Sequence, residues 1–153
     1  MITTVLIRHF EKDLNKLIEE VNQYPDDASL WKVKDGIKNS GGNLCLHLAG
    51  SLQHFIGSII GESGYVRNRD AEFSLKNITR QKIISELEAT KLVVKDTLEQ
   101  VSKKELEQDF PVKVADETVT TEYLLVHMIN HLNYHLGQVN YHRRLVGTAD
   151  SEA

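Results

Sequence analysis

Three histidines recur at intervals of four in His127-Met-Ile-Asn-His131-Leu-Asn-Tyr-His135-Leu-Gly-Gln138. A fourth, His47, stands far upstream in Asn43-Leu-Cys-Leu-His47-Leu-Ala-Gly50. On a helix, a spacing of four stacks side chains one turn apart on the same face. Two imidazoles stacked that way can grip one metal ion, and a third from another helix can complete one face of its coordination sphere. Two buried imidazoles also each need a hydrogen-bond partner, and a metal satisfies both together. The bland alternative is that these are packed core or solvated histidines. The pattern suggests a metal site without naming a substrate.

Helical phase separates the histidines. With His131 at zero and about 100° per residue, Leu124, Leu125, Met128, Leu132, Leu136 and Val139 span an arc from roughly +20° to +140°. His135 falls near +40° and His131 at the arc's edge, which makes them the inward pair. His127 lies near −40° and reads as a flanking residue. His142 returns to about +20°, but roughly 10 Å along the helix from His135. Around His47, the residues Leu44, Leu48, Leu52, Phe55, Ile56 and Ile59 form an apolar arc, while Ser51, His54 and Ser58 share its own stripe. That polar seam suits a pocket inside a bundle.

Other chemistry is less evident. Between His131 and His135 stand Leu-Asn-Tyr, so the His-Glu-x-x-His arrangement with its helix-borne base is absent. There is no Gly-rich phosphate loop and no Gly-x-Ser-x-Gly elbow. The one cysteine, Cys45, excludes an internal disulfide and reads as a small core residue. Arg67, Arg69, Asp70 and Glu72 form a dense charged stretch. Its default reading is a solvated, irregular loop; its functional one is a lid or substrate anchor.

Helices must carry these groups. Apolar residues at helical spacing mark a first helix from about Thr4 to Asn22, with Val5, Leu6, Phe10, Leu14, Leu17, Ile18 and Val21 inward. Tyr24-Pro25-Asp26-Asp27 ends it, and Trp31 in the following connection reads as a core plug. A second helix runs from about Gly42 to Ile60 and stops near Gly61 and Gly64. A third, about Arg80 to Val101, starts at a Thr79 cap and turns Ile83, Ile84, Leu87, Thr90, Leu92, Val94, Leu98 and Val101 inward. Phe110–Val114 and Thr118–Thr120 read as a small β-ribbon or an extended loop. Thr120 or Thr121 caps the last helix, which runs to about Val146 with Gly147 as its stop. Four long helices predict an all-α four-helix bundle, a single domain over residues 1–153.

Composition narrows the function classes. The 153 residues are 41% hydrophobic and 26% charged, ordinary for a globular domain. A net charge of −4 with no basic cluster argues against nucleic acid as a partner. Apolar runs are short, and the first residues lack a secretory-signal pattern, so a cytoplasmic protein that does not enter a membrane is expected.

The final-helix block His131-x-x-x-His135-x-Gly137-Gln138, followed by Tyr141-His-Arg143-Arg144, resembles the signature of the DinB-like superfamily. So do, upstream, Leu30-Trp31, the block from Asn39 through His47 to Phe55, the stretch Arg67–Phe73 and Lys103–Pro111. That superfamily includes YfiT-like metal-dependent hydrolases and bacterial low-molecular-weight-thiol S-transferases. The resemblance implies a four-helix bundle holding a divalent metal, typically nickel or zinc, on three histidines. By position these are His47, His131 and His135. It also implies that homodimers are common. Such a site can activate water or a small thiol, giving a hydrolase or an S-transferase acting on a small molecule. The competing expectation is a non-catalytic metal- or ligand-binding stress-response protein. Neither reading identifies a general base, for which His54 and His127 are candidates.

Overall fold

The computed structural model describes residues 1–148. Of the domain expected over 1–153, residues 149–153 lie outside the described residues. Four long helices form the bundle: α1 (Ile2–Gln23), α2 (Gly41–Leu52), α4 (Arg80–Gln100) and α6 (Thr121–Thr148). Two short ones, α3 (Arg69–Ser74) and α5 (Lys103–Glu107), join them. A 3₁₀ turn at Ala28–Trp31 follows α1. Helix α1 packs on α4 and α6, and α2 closes the bundle against the same two helices. Among the described residues no helix is long and apolar enough to cross a membrane.

The apolar stripes go where periodicity puts them. Leu6, Phe10, Leu14, Leu17 and Val21 of α1 meet Ile83, Leu87, Val94 and Leu98 of α4 and Leu124, Leu125, Met128, Leu132 and Val139 of α6 in one core. Two expected core residues face outward instead: Val5 is 52% exposed and Leu92 59%. At about 100° per residue each lies well outside its helix's buried stripe, with Leu92 nearly opposite it. Trp31 is buried as expected, and its indole N–H donates to the Ile78 carbonyl at 3.1 Å. The ring lies so close to α2 that a Cβ at Gly42 would come within 2.8 Å of it. Glycine is therefore required there.

The caps follow side-chain chemistry. The Thr79 hydroxyl accepts from the Lys82 N–H and starts α4. The Thr120 hydroxyl accepts from the Tyr123 N–H at the start of α6. Ser40 accepts from the Asn43 N–H and starts α2 one residue earlier than expected. Ser102 and Glu105 make a capping box that starts α5, a helix the periodicity did not reveal. The 103–120 segment ends in a minimal antiparallel ribbon, with bridges Asp109–Thr120 and Val114–Glu117. Its turn residues Ala115 and Asp116 both have positive φ, 49° and 64°.

Three elements depart from expectation. The second helix is not uniform: after Leu52 it widens into a π-helix, Gln53–Ile60, before stopping at Gly61. The wider winding advances each residue by a smaller angle, so His54 no longer falls in strict phase with His47. The charged stretch after it is not a loop throughout. Asn68 caps α3 by accepting from the Ala71 N–H, and Asp70 and Glu72 fill the acidic first turn of that helix. Finally, Gly147 does not stop α6, which continues through it to Thr148.

A buried polar knot fixes the far end of the bundle. The Tyr24 hydroxyl donates to His142 Nδ1 at 2.6 Å, and His142 Nε2–H donates to the Lys32 carbonyl at 2.8 Å. This ties the end of α1 and the 3₁₀ connection to α6, and gives His142 a structural role. Burial lowers the affinity of His142 for a proton and raises the Tyr24 pKa, so both stay neutral. Removing the hydroxyl leaves a buried imidazole nitrogen without a donor. Tyr24→Phe is expected to lower unfolding stability by about 1–2 kcal/mol, measured by urea denaturation with an unchanged m-value.

Candidate metal centre

His131 and His135 sit one turn apart on α6, and His47 faces them from α2. His131 Nε2 lies 3.1 Å from His47 Nε2 and 3.1 Å from His135 Nε2. One nitrogen from each ring falls within 4.8 Å of the others, and these three form the group of potential metal ligands among the described residues. The rings meet edge to face, with interplanar angles of 78° to 88°. His47 is buried, while His131 and His135 are half-buried and leave the trio open on one side.

The second ring nitrogens explain the orientation. His47 Nδ1–H donates to Glu72 Oε1 at 3.0 Å. A carboxylate only accepts, so the His47 proton is on Nδ1 and its Nε2 lone pair points into the trio. His135 Nδ1 is 2.6 Å from Gln138 Oε1, which fixes the same tautomer by the same logic. His131 Nδ1 is buried and has no hydrogen-bond partner.

Glu72 is held in turn. Arg67 donates through Nε to Oε2 and through Nη2 to Oε1, both at 2.9 Å. The carboxylate is 5% exposed, and such a burial is tolerated only with charge pairing and hydrogen bonds. Asn43, fully buried on α2, fixes the backbone that carries it. Its Nδ2 donates to the carbonyls of Glu72 at 3.0 Å and Leu75 at 2.9 Å. Gly50 makes room: a Cβ there would lie 2.0 Å from Glu72 Oε2. Phe73, next along α3, lays its ring 4.8 Å from the His47 ring.

The trio is electrically neutral and electron-rich. Burial lowers the His131 pKa to about 4, helped by His135, His47, His127 and Arg67. Burial also lowers that of His47, and Glu72 partly opposes the shift. Three imidazole nitrogens converge here, with the Nε2 lone pairs of His47 and His135 facing His131 Nε2, and such a set can serve as donors to a cation. The spacing fits as well. Nitrogens about 2.0–2.1 Å from one ion stand about 3.0 Å apart at right angles and about 3.4 Å apart in a tetrahedron. Two of the three separations, both 3.1 Å, fall in that interval, and the third is within 4.8 Å.

The remaining candidates separate cleanly. His127 is exposed and outside the trio, as its helical phase anticipates. His54 is half-buried against Phe55, with ring centroids 4.9 Å apart, and it too lies outside. Cys45 is buried, and burial pushes its thiol up to about 12, so it stays protonated. Glu72 and Arg67 are the residues sequence reasoning left in a solvated stretch. The signal that they lie beside a helix was present, since Asn68 followed by Asp70 and Glu72 reads as a helix start.

Comparison with known proteins agrees with the architecture. The fold is similar to that of a conserved protein from Enterococcus faecalis, with a TM-score of 0.78 and 18% identity over 95% of this chain and 97% of the other. It is also similar to a DinB-like protein, YjoA, from Bacillus subtilis, with a TM-score of 0.68 and 20% identity over 93% of this chain and 92% of that one. No curated protein matches the sequence. A family model described as a protein of unknown function, DUF1572, matches residues 3–152. The chain therefore belongs to the DUF1572 family and carries a DinB-like fold.

Proposed function

We propose that this protein is a divalent-metal-dependent enzyme that activates water or a low-molecular-weight thiol at His47, His131 and His135. The observation that carries the reading is the convergence of three neutral imidazole nitrogens, two of them oriented by Glu72 and Gln138. Imidazole ligation without thiolate or carboxylate suits nickel or zinc. A bound ion supplies Lewis acidity, which lowers the pKa of water or a thiol held beside it. The chain's own contribution is orientation and charge. Glu72 raises the basicity of His47 and pins its ring, and Arg67 holds Glu72 in place. Because the three ligands are neutral, the site retains the ion's charge and favours an anionic partner such as hydroxide or thiolate. The half-buried side formed by His131 and His135 gives a small molecule its approach.

A second reading has one observation in its favour. Glu72, the carboxylate against the trio, is committed to His47 and Arg67 and is not available as a general base. A protein that binds a metal or small ligand without catalysis fits that fact. Turnover separates the two: amide and ester libraries test a hydrolase, and conjugation of bacillithiol, mycothiol or glutathione to an electrophile tests an S-transferase.

Pairing of two copies belongs to the same proposal. Tyr123, Tyr134 and Tyr141 are 55%, 66% and 65% exposed on one stripe of α6, with Leu145 46% exposed beyond them. The stripe is symmetric about Tyr134: Tyr123 and Leu145 lie eleven residues to either side, and His127 and Tyr141 seven. Antiparallel pairing of two identical helices about Tyr134 sets Tyr123 against Leu145 of the partner subunit, a self-complementary contact of the two-fold kind.

Three outcomes are expected. Untagged protein binds one equivalent of nickel or zinc per chain with a rise in melting temperature, and His131→Ala and His135→Ala lose both; no metal uptake by folded protein overturns the proposal. Glu72→Gln keeps the fold but weakens metal affinity by about 10- to 100-fold, read by competition with a chromogenic chelator. Light scattering finds a dimer that Tyr134→Lys converts to a monomer; a wild-type monomer at the same concentration rules out the α6 pairing.

A further inference from the structure

Beside Glu72, α2, α3, α4 and the segment between α2 and α3 border a half-open cavity of about 440 Å³. Its walls are mostly apolar, with Leu46, Ala49, Leu75 and Ile78 among them. Ala49, Gly50, Ala71 and Ala89 contribute little side chain, and their small size is what leaves the space open. None of the three histidines lines it. The cavity and the trio therefore share Glu72 as a neighbour but no histidine.

Gln53, Tyr65, Asn68 and Thr90 add polar groups to the walls. Lys82 and Glu86 line the cavity from α4 and form an ion pair at 4.0 Å on its solvent side. Inside, the charged group is Glu72, buried to within 5%. A carboxylate offers about four acceptor positions. Oε1 accepts from His47 and Arg67, and Oε2 accepts from Arg67, which uses three of them. Oε2 is also the oxygen that presses on Gly50, and Gly50 lines the same cavity. A mostly apolar chamber in the size range of small-molecule sites, with an unspent position on a buried carboxylate among its polar groups, has the composition of a ligand pocket.

We infer that this cavity is a second small-molecule site, distinct from the metal centre, for a mostly apolar ligand that donates one hydrogen bond to Glu72 Oε2. The apolar body fills the space between Ala49 and Ala89, and the donor, an amine, amide or hydroxyl, meets the carboxylate. A ligand carrying an anionic group at that end is refused by the like charge. The site uses no metal, so its occupancy can be measured on metal-free protein and does not depend on the proposed chemistry of the trio.

The test uses the full-length, metal-free chain and the neutral fluorophore N-phenyl-1-naphthylamine, which has an apolar body and one N–H. Saturable fluorescence enhancement with one site per chain is expected. Ala49→Leu, which fills the cavity from α2, and Ala89→Phe, which fills it from an exposed position on α4, each weaken binding at least tenfold. Circular dichroism establishes that both variants are folded, and Ala89→Phe carries the test if Ala49→Leu is not. In displacement, 1-naphthylamine competes at least tenfold better than 1-methylnaphthalene, which has the same body and no donor. His131→Ala binds the probe as the wild type does. No saturable binding, or binding unchanged in the folded filling variants, overturns the site. Equal competition by the two naphthalenes overturns its anchoring on Glu72. Loss of binding in folded His131→Ala shows that the probe reads the histidine site and overturns the separation of the two.

Discussion

The buried carboxylate of Glu72 is the constraint on which the rest of the site depends. A charge held at 5% exposure would destabilise the fold by several kcal/mol were it unpaired. Its three hydrogen bonds from Arg67 and His47 meet that demand, and each fixes something else. The bond to His47 sets a tautomer. The bonds to Arg67 draw the end of the 61–68 segment down onto the bundle. The room for the carboxylate exists because position 50 has no side chain. Asn43 then locks the carrying helix through two backbone carbonyls, so α3 cannot drift without breaking buried bonds.

The other half of the site rests on a single helix braced along a different face. Helix α6 carries His131 and His135 on one side. Its Asn133 donates to Asp13 at 3.1 Å, and its Asn140 donates to Glu20 at 2.7 Å, with Arg143 on the same Glu20. Asp13 and Glu20 are buried carboxylates on α1, and they meet polar groups at matching heights on α6. Apolar packing alone would let two such helices slide by a turn at modest cost. A slide here leaves two carboxylates buried without donors. Register between α1 and α6 is thereby specified, and with it the height at which the two histidines meet His47.

Much of this was legible in the sequence, for a physical reason. Helical phase depends only on spacing, so it separated His131 and His135 from His127 and placed His47 beside a polar seam. The four long helices followed from the same periodicity. Glu72 was not legible in the same way, because its burial is a tertiary fact: its partners His47 and Arg67 are drawn together by α3, a six-residue helix too short to show a period. The π-winding at Gln53–Ile60 likewise leaves no mark in apolar spacing, since Phe55, Ile56 and Ile59 fit an α-helix equally well. The start of α5 could have been read directly, as Ser102 and Glu105 have the spacing of a capping box. Gly147 misled because a glycine stops a helix by taking a positive φ, and Gly147 is not among the residues that do so.

The distribution of charge ties these pieces to one kind of chemistry. The trio is neutral, with burial and mutual proximity holding His131 unprotonated, its pKa down to about 4. Glu72 and Arg67 cancel one another one ring further out. A cation among the three nitrogens would therefore meet no negative ligand directly, only a carboxylate acting through the His47 ring. That arrangement leaves the charge to be balanced by whatever enters from the open side. A site closed by thiolates or carboxylates would have spent that charge on its own ligands. Here the fold maintains a buried acid at some cost, yet keeps it one imidazole away from the centre, where it orients His47 without contributing its charge directly to the trio.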